Sequence, residues 1–109
     1  MKSPEAWEKD SISKHLVSML AWSFRPFMSG FGKAGVPDIV ACVPVVVTKE
    51  MVGMRVGLFV GVEVKRDGKL PTKLQESRIE EIKEAGGIAV WGTADRVIPH
   101  LKTLPWTPV

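Results

Sequence analysis

A single cysteine, Cys42, occurs among 109 residues. One thiol excludes an intramolecular disulfide framework and any zinc site built from a cysteine cluster. Cys42 lies in a valine-rich run and reads as a small buried apolar residue. A chain without cross-links fits a reducing, intracellular compartment. Long apolar runs are missing as well. The longest, about residues 39 to 47, is far too short to span a bilayer, so no membrane partner is expected. The first ten residues, MKSPEAWEKD, carry no apolar h-region, and no secretory signal peptide is expected. A Gly-rich phosphate loop of the Walker or Rossmann type is also missing: Gly30-x-Gly32 lacks the third glycine and the preceding strand. His15 and His100 are isolated, and neither has a serine or cysteine partner at readable spacing. These absences weigh against a small-molecule α/β enzyme. No internal repeat or low-complexity segment is visible.

What remains is ordinary globular material. The composition is 45% hydrophobic and 25% charged, which excludes disorder as the default state. The length makes residues 1–109 one domain with a core of its own. A net charge of +3 permits a polyanionic partner without demanding one.

Residues 3 to 22 read as a helix. Ser3 suits the cap, Pro4 the first helical position, and Glu5 the positive end of the dipole. Ile12, Leu16, Met19 and Leu20 form an apolar stripe, and its backward extension places Glu5 and Glu8 on or beside it. Residues 23 to 35 form a glycine-rich connector. A strand follows over about 37 to 47, with Pro44 marking an edge, a bulge or a kink. A second strand spans 56 to 66, a helix Leu74 to Ala85, a short buried strand 88 to 92, and a last helix Ala94 to Leu101. Strands 36–47 and 56–66, joined by a short link, are expected to be antiparallel neighbours. Strand 56–66, its helix and strand 88–92 form a crossover that implies parallel strands. The class is α/β, a mixed sheet flanked by helices.

Within the second strand, Leu58, Val60, Val62 and Val64 share one apolar face. Phe59, Gly61, Glu63 and Lys65 share the other, so Glu63 and Lys65 project side by side. A plain reading exists: a half-exposed strand with a solvent-facing ion pair, worth roughly 0–1 kcal/mol. Asp38 shifts the balance. It opens the strand before, and antiparallel pairing would bring it opposite Glu63. Two carboxylates on one face repel unless a cation lies between them, and oxygen donors suit Mg²⁺ or Mn²⁺ rather than zinc. The alternative for Asp38 is a turn residue after Gly35-Val36-Pro37. Gln75 closes a Thr72-x-x-Gln75 capping box and also begins the stripe Gln75, Ile79, Ile82. It can cap the helix and point its amide at a site near the strand end.

The ordered set G-V-P-D at 35–38, V-E-V-K at 62–65, K-L-P-T-K-L-Q at 69–75 and a helix ending A-G-G at 85–87 resembles the PD-(D/E)XK nuclease superfamily. Within it, the chain is similar to the stand-alone VRR-Nuc (virus-type replication-repair nuclease) domains often encoded by phages. The resemblance covers about residues 30 to 92. It implies an αβββαβ core and metal-dependent hydrolysis of DNA phosphodiesters. Asp38 and Glu63 match the motif acids and would be metal ligands, with the backbone carbonyl of Val64 a further one. Lys65 matches the motif lysine and Gln75 the glutamine of the following helix. Glu8 is matched to the helix-1 glutamate, with Glu5 one turn earlier as the competing choice. Lys33 matches a basic position that often precedes the motif.

The implied partner is DNA, branched forms such as four-way junctions among them, with Mg²⁺ or Mn²⁺ as cofactor. Arg25, Lys33, Arg66, Lys69 and Lys73 are the candidate phosphate contacts. A homodimer would supply two active sites, and a phage-encoded enzyme would act in the host cytoplasm, in replication, recombination or repair. The alternative on the same fold is a DNA-binding or assembly module without activity. The intact Asp38, Glu63 and Lys65 argue against it.

Overall fold

The computed structural model describes residues 3–27, 35 and 37–104. The chain divides into two compact units, Met1–Pro44 and Val45–Val109. Helices and strands occur in both, which places the protein in the mixed α/β class. Among the described residues no helix is long and apolar enough to cross a membrane.

In the first unit, helix α1 spans Pro4–Ser18. Its start follows the sequence: Ser3 is the N-cap, its hydroxyl accepts the Ala6 N–H at 3.2 Å, and Pro4 occupies the first turn. Its end comes earlier than the periodicity predicts. Leu20 adopts φ +62°, and the N–H groups of Leu20 and Ala21 return to the carbonyls of Val17 and Leu16 at 3.0 and 3.1 Å. That pair of bonds is a Schellman stop, here with leucine in the left-handed position where glycine is usual.

The stop frees Trp22–Phe24 to form strand β1, where the sequence predicts the end of a helix and the start of a connector. β1 pairs antiparallel with β2, Val40–Cys42, with Trp22 opposite Cys42 and Phe24 opposite Val40. Tryptophan and phenylalanine favour a pleated surface, and the Trp22 and Phe24 rings lie on one face, centroids 5.3 Å apart. Arg25, just past β1, donates to Asp10 Oδ1 at 2.9 Å and Ser13 Oγ at 3.1 Å, tying the strand to α1. No residue of α1 is buried, so the stripe of Ile12, Leu16, Met19 and Leu20 is not the covered face the spacing predicts.

β2 is shorter than the expected strand over 37 to 47. It ends before Pro44, which has no N–H to give to a ladder. The ladder it forms is with β1, in place of the antiparallel pairing to residues 56–66 that the short link suggested.

The second unit is a βαβα arrangement. A 3-10 turn at Lys49–Met51 precedes strand β3, Val60–Val64. Helix α2, Lys73–Glu84, crosses over to strand β4, Ile88–Gly92, which lies parallel to β3 as expected. Helix α3, Ala94–Lys102, follows at once. α2 carries the predicted capping box in full. It ends in a second Schellman stop: Gly86, at φ +87°, donates to Lys83 and Gly87 donates to Ile82. The register places Gly61 beside Ala89 and Glu63 beside Trp91. Among the described residues of this unit, Ile82, Ala85, Ala89, Val90 and Val97 are the buried hydrophobic side chains, and Gly92 is buried with them.

One expectation is inverted here. The apolar face of the second strand is not the covered one: Val60, Val62 and Val64 are exposed, Val64 at 75%. α2 lies on the Gly61 side instead. A Cβ at position 61 would stand 3.0 Å from Ile82 Cδ1, so the missing side chain lets Ile82 settle onto the strand. The same approach brings the start of α2 to Glu63.

Candidate functional site

The site grows out of that contact. Glu63 and Lys65 project from one face of β3 as the strand period requires. Lys65 N–H donates to the Gly92 carbonyl at 2.9 Å, which continues the ladder one step past the strand and fixes the backbone from which its side chain rises. Lys65 Nζ stands 3.8 Å from Glu63 Oε1. The two side chains are 18% and 34% exposed, so the pair is half-buried rather than solvated as the plain reading has it.

Gln75 completes the group. Its Nε2 donates to Glu63 Oε1 at 2.6 Å, while its Oε1 accepts the Thr72 N–H at 2.9 Å. The two ends of one amide therefore serve two purposes: the oxygen caps α2 and the nitrogen holds the carboxylate. A capping box that is itself anchored to the helix start makes Gln75 a rigid donor.

This leaves Glu63 asymmetric. Oε1 takes both the amide and the ammonium, and Oε2 has no hydrogen bond among the described residues. The backbone of β3 is asymmetric too. Ile88 N–H reaches the Phe59 carbonyl and Lys65 N–H the Gly92 carbonyl, so the odd-numbered residues of β3 face β4. By the alternation of a parallel ladder the Val64 carbonyl points to the opposite edge. A carboxylate oxygen and a strand carbonyl are hard donors of the kind Mg²⁺ and Mn²⁺ take, and Mg²⁺ commonly binds through one or two carboxylates plus substrate phosphate and water. The donors present fit such an ion. No group of three or more His, Cys, Asp or Glu side chains spaced to share a metal occurs among the described residues.

The remaining candidates divide between the two units. Asp38 is an exposed bend residue two positions before β2, in the first unit. Glu8 and Glu5 are exposed on α1, and Glu5 pairs with Lys9 at 3.4 Å. Arg25 belongs to the first unit, with Asp10 and Ser13 as partners. Lys33 lies outside the described residues. In the second unit Lys73 is the exposed first residue of α2, and Arg66 and Lys69 line a cavity beyond the ends of β3 and β4.

That cavity has a volume of about 430 Å³ and also takes in Lys65, Trp91 and Arg96. Arg96 and Trp91 did not emerge from the sequence reading. The signal was present: a strand parallel to β3 must end beside Lys65, and residues 91–96 follow from that end. Arg96 Cζ lies 4.0 Å from the centroid of the Trp91 ring, a cation–π contact.

Comparison with family profiles, with characterised proteins and with solved structures finds no match for the chain. The site is therefore described by its own geometry: one carboxylate held by an amide and an ammonium, with a cationic cavity at its side.

Proposed function

We propose that this protein is a metal-dependent DNA nuclease of the PD-(D/E)XK kind, hydrolysing phosphodiester bonds in branched DNA such as four-way junctions. The observation that carries the reading is the convergence of Glu63, Lys65 and Gln75 from two elements onto one carboxylate oxygen, with Gln75 Nε2 at 2.6 Å and Lys65 Nζ at 3.8 Å. An E-x-K pair with a glutamine on the next helix is the set the sequence resemblance singles out.

Glu63 Oε2 and the Val64 carbonyl are the donors of the second unit that would hold Mg²⁺ or Mn²⁺, and the motif resemblance adds Asp38 and Glu8 as the further carboxylates. A bound divalent ion polarises the scissile phosphate and lowers the pKa of an attacking water. Gln75 holds Glu63 by Oε1, which would leave its second oxygen for the ion. Lys65 donates to the attacking water or to a phosphate oxygen and stabilises charge that builds on phosphorus. Its ammonium is held by Glu63, which keeps it oriented without a long search through rotamers.

The test is a panel of labelled duplex, single-stranded, flap, nicked and four-way DNA, incubated with Mg²⁺, Mn²⁺ or EDTA. The reading expects cleavage in either metal, none in EDTA, and branched forms cut first. Binding without cleavage in all three buffers would replace it with the inactive DNA-binding module.

A further inference from the structure

The cavity beyond the C-terminal ends of β3 and β4 is lined by Lys65, Arg66, Lys69 and Arg96, with Asp67 as its one carboxylate. Among the described residues Arg66, Lys69 and Arg96 have no ion-pair partner. Two cations on α2 of the same unit contrast with them: Arg78 binds Glu81 at 2.7 Å and Lys83 approaches Glu80 at 3.6 Å. Like charges gathered around a concave space repel one another and focus a positive potential that an anion relieves. Thr93, the N-cap of the nine-residue α3, also lines the cavity and makes no side-chain cap bond, so the positive end of that helix adds to the field.

Arg96 is held in place by a specific device. Gly92 has φ +139°, and a Cβ there would lie 2.9 Å from Arg96 Cδ and 3.3 Å from its Cβ and Cγ. The arginine stem therefore runs across the bare backbone of Gly92 and lays its guanidinium on Trp91. The ring contact steadies the guanidinium, whose fork of N–H groups suits phosphate oxygens. Lys65 lines this cavity and also stands 3.8 Å from Glu63 Oε1, so an anion seated here would be a neighbour of a phosphate at Glu63.

We propose that this cavity seats the phosphate next to the scissile one on the same DNA strand, with Arg96, laid on Trp91 across Gly92, as a strand-binding residue that sets affinity and KM rather than the rate of bond breaking. The proposal rests on the nuclease reading. Its test measures binding of the full chain to labelled single-stranded and flap oligonucleotides by fluorescence anisotropy in EDTA, over a salt series. Arg96→Gln is expected to weaken binding at least about tenfold. It is also expected to flatten the plot of log affinity against log salt by about 0.7–0.9, the share of one phosphate contact. Gly92→Ala, which crowds the Arg96 stem and strains the backbone at φ +139°, is expected to weaken binding in the same direction, with circular dichroism checking that the fold is kept. Arg96 and Gly92 variants that both bind within about twofold of wild type at an unchanged salt slope would overturn the proposal. Should Arg96→Gln not fold, Gly92→Ala and Lys69→Gln decide it by the same criterion. Cleavage by the wild type in Mg²⁺ separates the two claims. A wild type that cuts while Arg96→Gln keeps its KM removes the cavity and leaves the nuclease. Arg96-dependent binding with no cleavage removes the nuclease and leaves the cavity, and neither binding nor cleavage removes both.

Discussion

The two oxygens of Glu63 live in different surroundings, and the proposed chemistry rests on that difference. Oε1 accepts from Gln75 and lies near Lys65, and Oε2 has no hydrogen bond among the described residues. Lys65→Ala is expected to lower kcat by about 10²–10³, as for the loss of one transition-state donor. Its effect on unfolding free energy should stay within about 1 kcal/mol, because a partly exposed ion pair contributes little to stability. Single-turnover kinetics and urea denaturation of the same variant check both halves. A large loss of stability with little loss of rate would assign Lys65 a structural role. Cys42 offers a second residue-scale test, in the first unit. It is buried, and burial pushes its thiol above the ordinary range. A thiol in the unfolded chain ionises at about 8.5, below the folded value, so the folded state is favoured while both are protonated. That contribution is whole below the unfolded pKa and is lost as pH rises through the folded one. Wild-type stability should therefore fall more steeply between neutral and alkaline pH than that of Cys42→Ala. Equal slopes in denaturation measured across that range would contradict the assignment.

The helix ends show what was legible at the scale of elements. The two Schellman stops have the same hydrogen bonds, but the one at Gly86 is written in the sequence as A-G-G and the one at Leu20 is not. Leucine in a left-handed conformation is disfavoured by about 1–2 kcal/mol, so nothing local announces it. Hence α2 and β4 were readable nearly to the residue, whereas α1 ran on in the sequence reading and β1 was missed. The covered face of β3 was misjudged for a related reason. Alternation says which side chains share a face, and only the fit of Ile82 onto Gly61 decides which face a helix chooses. Gln75 was legible as the cap, and the stripe it begins turns its amide toward β3, where its nitrogen meets Glu63. Two substitutions test these points. Leu20→Gly is expected to stabilise the protein by about 0.5–1 kcal/mol, the relief of strain less the added chain entropy of glycine. A lower urea midpoint would count against it. Thr72→Ala removes the hydroxyl cap of α2 and is expected to cost about 1 kcal/mol, read as a fall in Tm of about 4–8 °C. An unchanged Tm would show that the cap does not hold α2.

At the scale of the molecule, the modest net charge of +3 conceals a local concentration. Four of the cations border one cavity beside Glu63, while others on α1, after β1 and on α2 are matched by carboxylates. Mean composition could not reveal this, because it depends on the register that sets the end of β4 beside Lys65. DNA binding through such a cluster should weaken steeply with salt. A second consequence concerns assembly. Branched DNA presents two strands to be cut, and a symmetric homodimer would bring two Glu63 sites to them. Sedimentation at micromolar concentration should then give twice the chain mass of 12.0 kDa, and a monomer would remove the dimer without touching the chemistry. The chemistry itself is tested most directly by single-turnover cleavage of a labelled four-way junction in Mg²⁺, wild type beside Glu63→Gln. Here the wild type should cut, and the variant, folded but without its carboxylate charge, should leave the DNA whole. Equal cutting by both, or none by either, would contradict the role given to Glu63.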